Sequence, residues 1–221
     1  MTALVVPAYF HPAVAADDWK ALAAHGSAVR AVILNSYNGP GPAFERELTA
    51  AAVATGRPLL GYVDTDYGRR DPDEVLADVD RWHDWYPVTG LFLDRVATGS
   101  DLLVWYEVVV EEIRRRTFGT MVFNHGANPD PRYAELADAL VTFEGPYAWH
   151  QEIEVPAWIR SMPAERIWHL VYDTPSTLLP TSLARAAEAN AGVVYVTERA
   201  GANPWDGVPG YLDLEVEAWC R

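Results

Sequence analysis

The 221-residue chain is long enough for one sizeable core and short for two independent domains. Half of it is hydrophobic and 22% is charged, the balance of an ordinary globular protein. Seventeen basic against thirty-one acidic residues give a net charge of −14, which argues against nucleic acid or an anionic membrane as partner. Cys220 is the only cysteine, which sets aside an internal disulfide framework, a cysteine-based zinc site and a thiol nucleophile. Lys20 is the only lysine, in an expected outer helix, so Schiff-base and P-loop chemistry are set aside as well. No run approaches eighteen apolar residues, and no signal-peptide pattern opens the chain. The sequence therefore places the protein in the cytoplasm, or outside the cell had a leader been removed beforehand.

Short β-rich runs alternate with amphipathic stretches from end to end. Near-continuous apolar segments at Leu4–Phe10, Val29–Asn35, Pro58–Val63 and Val88–Asp94 read as strands buried on both faces. Four more follow at Thr120–Asn124, Ala139–Glu144, Arg166–Asp173 and Gly192–Thr197. Helices are expected between them at Asp17–His25, Phe44–Thr55, Asp71–Trp85 and Asp101–Arg116, then at Pro131–Ala137, Pro156–Met162, Leu179–Ala189 and Leu212–Trp219. Eight strands and eight helices in alternation predict a single (β/α)₈ TIM barrel over residues 1–221.

In such a barrel chemistry belongs to the C-terminal ends of the strands. Carboxylates close five of the eight: Asp64, Asp94, Glu144, Asp173 and Glu198. Two carboxyls facing one cleft suit glycoside cleavage, in which one gives a proton and the other meets the oxocarbenium-like centre. Asp94 and Glu144 follow apolar runs directly and are the expected catalytic pair; helix capping is the competing role for any acid at a strand end. Nine tryptophans and eleven tyrosines fill cores, and they also suit the stacking surfaces that grip sugars. The expected carbohydrate-binding residues are Tyr9, His11, Asn35, Tyr62, Asp64, Tyr67, Arg95, Asn124, His125, Tyr147, Asp173 and Glu198. His11, His125 and His169 could approach one another, but no metal-ligand spacing links them, so no metal or cofactor is expected. His169 reads as a core residue, and His25, His83 and His150 as surface or helix-end residues.

Several pieces, in order, resemble the spherulin-4 family. They are Val6–Pro12, Asn35–Gly41, Gly61–Arg70, Trp85–Asp94, Asn124–Gly126 and the pair Phe143-Glu144. The resemblance implies a (β/α)₈ fold and a grouping with endo-α-1,4-N-acetylgalactosaminidases of galactosaminogalactan metabolism. In those hydrolases the fourth strand ends in Asp-Glu and a later strand in Phe-Glu, which maps their acids onto Asp94 and Glu144. Arg95 departs from the pattern, standing where the second acid of the Asp-Glu pair is found. A guanidinium there would favour an ionised Asp94 as nucleophile if it faces that acid, would remove the proton donor if it faces Glu144, and would leave catalysis intact if it points away from the cleft. Glu144 would be the acid/base, kept protonated by Phe143 and Tyr147. A catalytically inactive carbohydrate-binding barrel and a small-molecule enzyme of specialised metabolism on the same fold are the alternatives.

Overall fold

The computed structural model describes residues 2–116 and 118–220. Eight parallel strands pair in sequence order and close on themselves: β1 (Ala3–Ala8), β2 (Val29–Leu34), β3 (Leu59–Asp64), β4 (Gly90–Asp94), β5 (Thr120–Asn124), β6 (Ala139–Pro146), β7 (Ile167–Tyr172) and β8 (Val193–Val196). The outer layer holds α1 (Ala16–Ala24), α2 (Arg46–Ala54), α3 (Pro72–Trp85), α4 (Leu103–Arg114), α5 (Tyr147–His150), α6 (Ala157–Ser161), α7 (Leu179–Glu188) and α8 (Leu212–Trp219). The molecule is the expected (β/α)₈ barrel. None of the described helices is long and apolar enough to cross a membrane.

The apolar runs form strands because both faces are covered. Leu4, Val5, Val6, Val32, Ile33, Leu91, Phe92, Val122 and Val194 are all fully buried. α3 shows how a helix is fixed to this wall. Asp71 caps it by accepting from the Asp73 N–H at 2.9 Å, with Pro72 at the first position. Its buried face is Val75, Val79 and Trp82, and Trp82 Nε1 donates to the Tyr62 carbonyl at 2.7 Å. Gly61 makes that approach feasible, since a Cβ there would lie 2.6 Å from the indole.

Three expectations need correction. The segment expected to be a helix at Pro131–Ala137 is a 3₁₀ run, Pro131–Glu135, between β5 and β6. Only a few residues separate the Asp130 cap from β6, and Tyr133 fills the space as one buried plug. Secondly, β6 runs on to Pro146 and feeds the one-turn α5, which the sequence did not announce. Thirdly, His150 at the end of α5 is a helix-end residue but not a surface one. It is fully buried, with Nε2 2.9 Å from His169 Nδ1.

α8 is tied to β8 by a carboxyl in the core. Glu215 Oε1 accepts from the Val196 N–H at 2.8 Å, and Oε2 has no hydrogen-bond partner among the described residues. Burial pushes this carboxyl well above the usual range, so the folded protein keeps it protonated whereas the unfolded chain ionises it near pH ~4.3. Its contribution to stability is complete below that pH and is lost as pH rises. Glu215→Gln mimics the protonated form, so Tm should fall less between pH 5 and 8 in the variant than in the parent. Parallel Tm–pH curves would contradict this.

Candidate active site

Asp64 and Asp94 are register partners at the ends of β3 and β4. The chain turns sharply just beyond them. Asp66, Tyr67 and Arg95 all lie in the left-handed region, with φ of 44°, 57° and 51°. Such residues cost roughly 1–3 kcal/mol each and persist where their surroundings hold them, commonly at functional sites. Here Thr65 N–H donates to the Asp94 carbonyl at 3.0 Å and Tyr67 N–H to the Arg95 carbonyl at 2.6 Å.

The turn carries Arg95 away from both Asp94 and Glu144, one of the placements the sequence allowed. Its Nε donates to Asp64 Oδ1 at 2.9 Å, and its second nitrogen pairs with Asp66. Asp64 also accepts from Asn38 Nδ2 at 3.0 Å and from the Asp66 N–H at 2.8 Å. Arg95 makes no ion pair with Asp94 or Glu144 among the described residues, so its guanidinium is not what holds Asp94 ionised. Removing it leaves Asp64 buried with one cation fewer. Because Arg95 is 41% exposed, Arg95→Ala should cost only about 1–2 kcal/mol in urea denaturation. Unchanged stability would show that the pair carries no weight.

Asp94 and Glu144 meet across the barrel mouth through one amide. Tyr62 Oη donates to Asp94 Oδ2 at 2.7 Å, and Asn124 Nδ2 donates to Asp94 Oδ1 at 2.5 Å. The same nitrogen donates to Glu144 Oε2, while Trp205 Nε1 donates to Glu144 Oε1 at 3.2 Å. Gly126 N–H donates to Asn124 Oδ1 at 3.0 Å, which orients the amide with its NH₂ towards the carboxyls. One NH₂ bonded to both carboxyls holds the two acids close together.

The two acids are not equivalent. Burial pushes Glu144 up to about 7, and the neighbouring Asp94 charge adds to the rise. Burial also raises Asp94, but the Tyr62 and Asn124 hydrogen bonds and a backbone bond at Arg95 oppose it. The geometry thus favours a proton on Glu144 and charge on Asp94. Phe143 does not shield Glu144. It packs on His150 and His169, with ring centroids 4.7 and 5.8 Å away. Trp205 and Tyr172 stand beside Glu144 instead.

Two cavities, of about 300 and 510 Å³, meet at this pair and share Asp94, Glu144 and Tyr172. Tyr67, Arg95, Asn124 and His125 line the first. Tyr9, Asn35, Tyr62 and Trp205 line the second. His11 lies further along, with Tyr37, in a cavity that shares Tyr9 and Asn35 with the second. The other expected binding residues are not on the central cleft. Asp64 is taken up by Arg95, Asp173 sits exposed at φ 53°, and Glu198 accepts from the Gly210 N–H at 2.8 Å. Tyr147 packs against the core.

Trp205 and Tyr172 were not foreseen. Trp205 rides the long loop after β8, fastened where Tyr9 N–H donates to its carbonyl at 3.2 Å and Asn203 Nδ2 donates to the Tyr9 carbonyl at 3.2 Å. A tryptophan among Asn203, Pro204 and Asp206 after the last strand is the signal that could have marked it. Tyr172 is the last residue of β7, and Asp173 has already turned away.

The fold and the paired carboxyls define a (β/α)₈ protein with an acidic cleft at its C-terminal mouth. The chain belongs to the spherulation-specific family 4, whose sequence model matches residues 3–219. Spherulin-4 of Physarum polycephalum is 28% identical over 235 residues, covering 97% of this chain and 69% of that protein. Among solved structures, Aspergillus clavatus Sph3 in complex with GalNAc superposes with a TM-score of 0.83 at 24% identity, over 100% of this chain and 98% of that one. A class V chitinase from Pseudomonas fluorescens gives 0.60 at 10% identity, covering both chains fully. An α-L-fucosidase from Paenibacillus thiaminolyticus gives 0.60 at 12%, over 100% of this chain and 49% of that one.

Proposed function

We propose that the protein is a glycoside hydrolase that cleaves within a polysaccharide containing galactosamine or N-acetylgalactosamine. The observation that carries this reading is the Asn124 amide bridging Asp94 and Glu144 at the floor of an open cleft. Two acids joined through one amide nitrogen suit a retaining mechanism, since an inverting pair needs ~6.5–9.5 Å to admit a water. Asp94 attacks the anomeric carbon while Glu144 protonates the leaving oxygen, giving a glycosyl–Asp94 ester. Glu144, now ionised, takes a proton from water as the water's oxygen displaces Asp94. Tyr62 and Asn124 hold the nucleophile in place.

The substrate class draws support from family membership and from the similarity to Sph3, which was crystallised with GalNAc. Cavities on both sides of the pair suit an internal bond better than a chain end. The departure at Arg95 is consistent with activity, because that side chain is held by Asp64 and Asp66. The test is release of reducing ends from galactosaminogalactan. Activity in the parent, absent from Glu144→Gln, supports the proposal. Binding without turnover would favour a carbohydrate-binding barrel, and turnover of small molecules alone would favour the specialised-metabolism reading.

A further inference from the structure

The cleft continues past the catalytic pair. Gly126, on the wall of the Tyr67 cavity, also lines another cavity of about 300 Å³ on the side of α5. Two of its features have no part in the chemistry above. Trp149 is 67% exposed, an indole left open to solvent on a helix whose other large side chains are covered. Glu152 and Glu154 line the same space, and none of the described ion pairs engages either carboxylate.

An open indole face takes the C–H face of a sugar ring and attracts a cation through its quadrupole. Two unpaired carboxylates select positive charge. A hexosamine unit with a free amine combines both requirements: ring face and ammonium. We propose that this cavity is a distal subsite seating a positively charged hexosamine unit, with its ring on Trp149 and its ammonium facing Glu152 and Glu154. The inference rests on the reading of the central cleft as a site for an amino-sugar polymer.

Calorimetric titration of the full chain carrying Glu144→Gln tests it, with two probes: an α-1,4-linked galactosamine hexamer and its fully N-acetylated counterpart. Trp149→Ala should weaken binding of both about tenfold. The double change Glu152→Gln, Glu154→Gln should weaken the free-amine hexamer at least tenfold more than the acetylated one, a difference that shrinks in high salt. Undiminished binding in the tryptophan variant, or equal losses for the two probes in the glutamate variant, overturns the subsite. Wild-type protein that releases no reducing ends while the binding pattern holds would end the hydrolase reading and leave the subsite standing.

Discussion

Glu144→Gln is expected to lower kcat on the polymer by about 10²–10⁴-fold with Tm close to that of the parent. The change keeps the shape of the side chain and its acceptor for Trp205 Nε1. It removes the proton that the leaving oxygen needs. Because burial and Asp94 place this carboxyl near 7, the parent should lose activity as pH rises through that region. The sign is fixed by the role: a general acid works while protonated, below its pKa. A substrate whose leaving group departs without protonation, such as a dinitrophenyl glycoside, should recover much of the rate in the variant. Equal losses on both substrates would remove Glu144 from the proton-donor role.

Asp94→Asn should have the larger effect, a fall of at least ~10³-fold, because no covalent intermediate can form without the carboxylate. The neutral amide also removes the negative charge beside Glu144. The Glu144 carboxyl should therefore titrate lower than in the parent, read by NMR of labelled glutamate. Loss of activity with an unchanged Glu144 titration would contradict the electrostatic link between the two groups. Asn124 joins both acids through one nitrogen, so neither variant should be treated as independent of the other.

Most of the barrel was legible because parallel strands buried on both faces write themselves as apolar runs. Asp94 and Glu144 were legible for a related reason, as polar residues that end such runs where barrels keep their chemistry. The partners of these acids were harder to see. Arg95 stands next to Asp94 in sequence, yet the left-handed backbone there turns its guanidinium to Asp64 and Asp66. Strand alternation stops being informative once the strand has ended, and adjacency then says nothing about contact. Trp205 reaches Glu144 from 61 positions further along, on a loop with no periodicity to read. The burial of His150 was not legible because a single turn of helix leaves no amphipathic pattern.

Proton NMR of the first products from an α-1,4-linked N-acetylgalactosamine oligosaccharide tests the central claim most directly. Retention through an Asp94 ester predicts that new reducing ends appear first as the α-anomer and only later equilibrate with the β-anomer. Products that appear first as the β-anomer, or no new anomeric signals at all between pH 4 and 8, would contradict the assignment of Asp94 as nucleophile and Glu144 as acid/base.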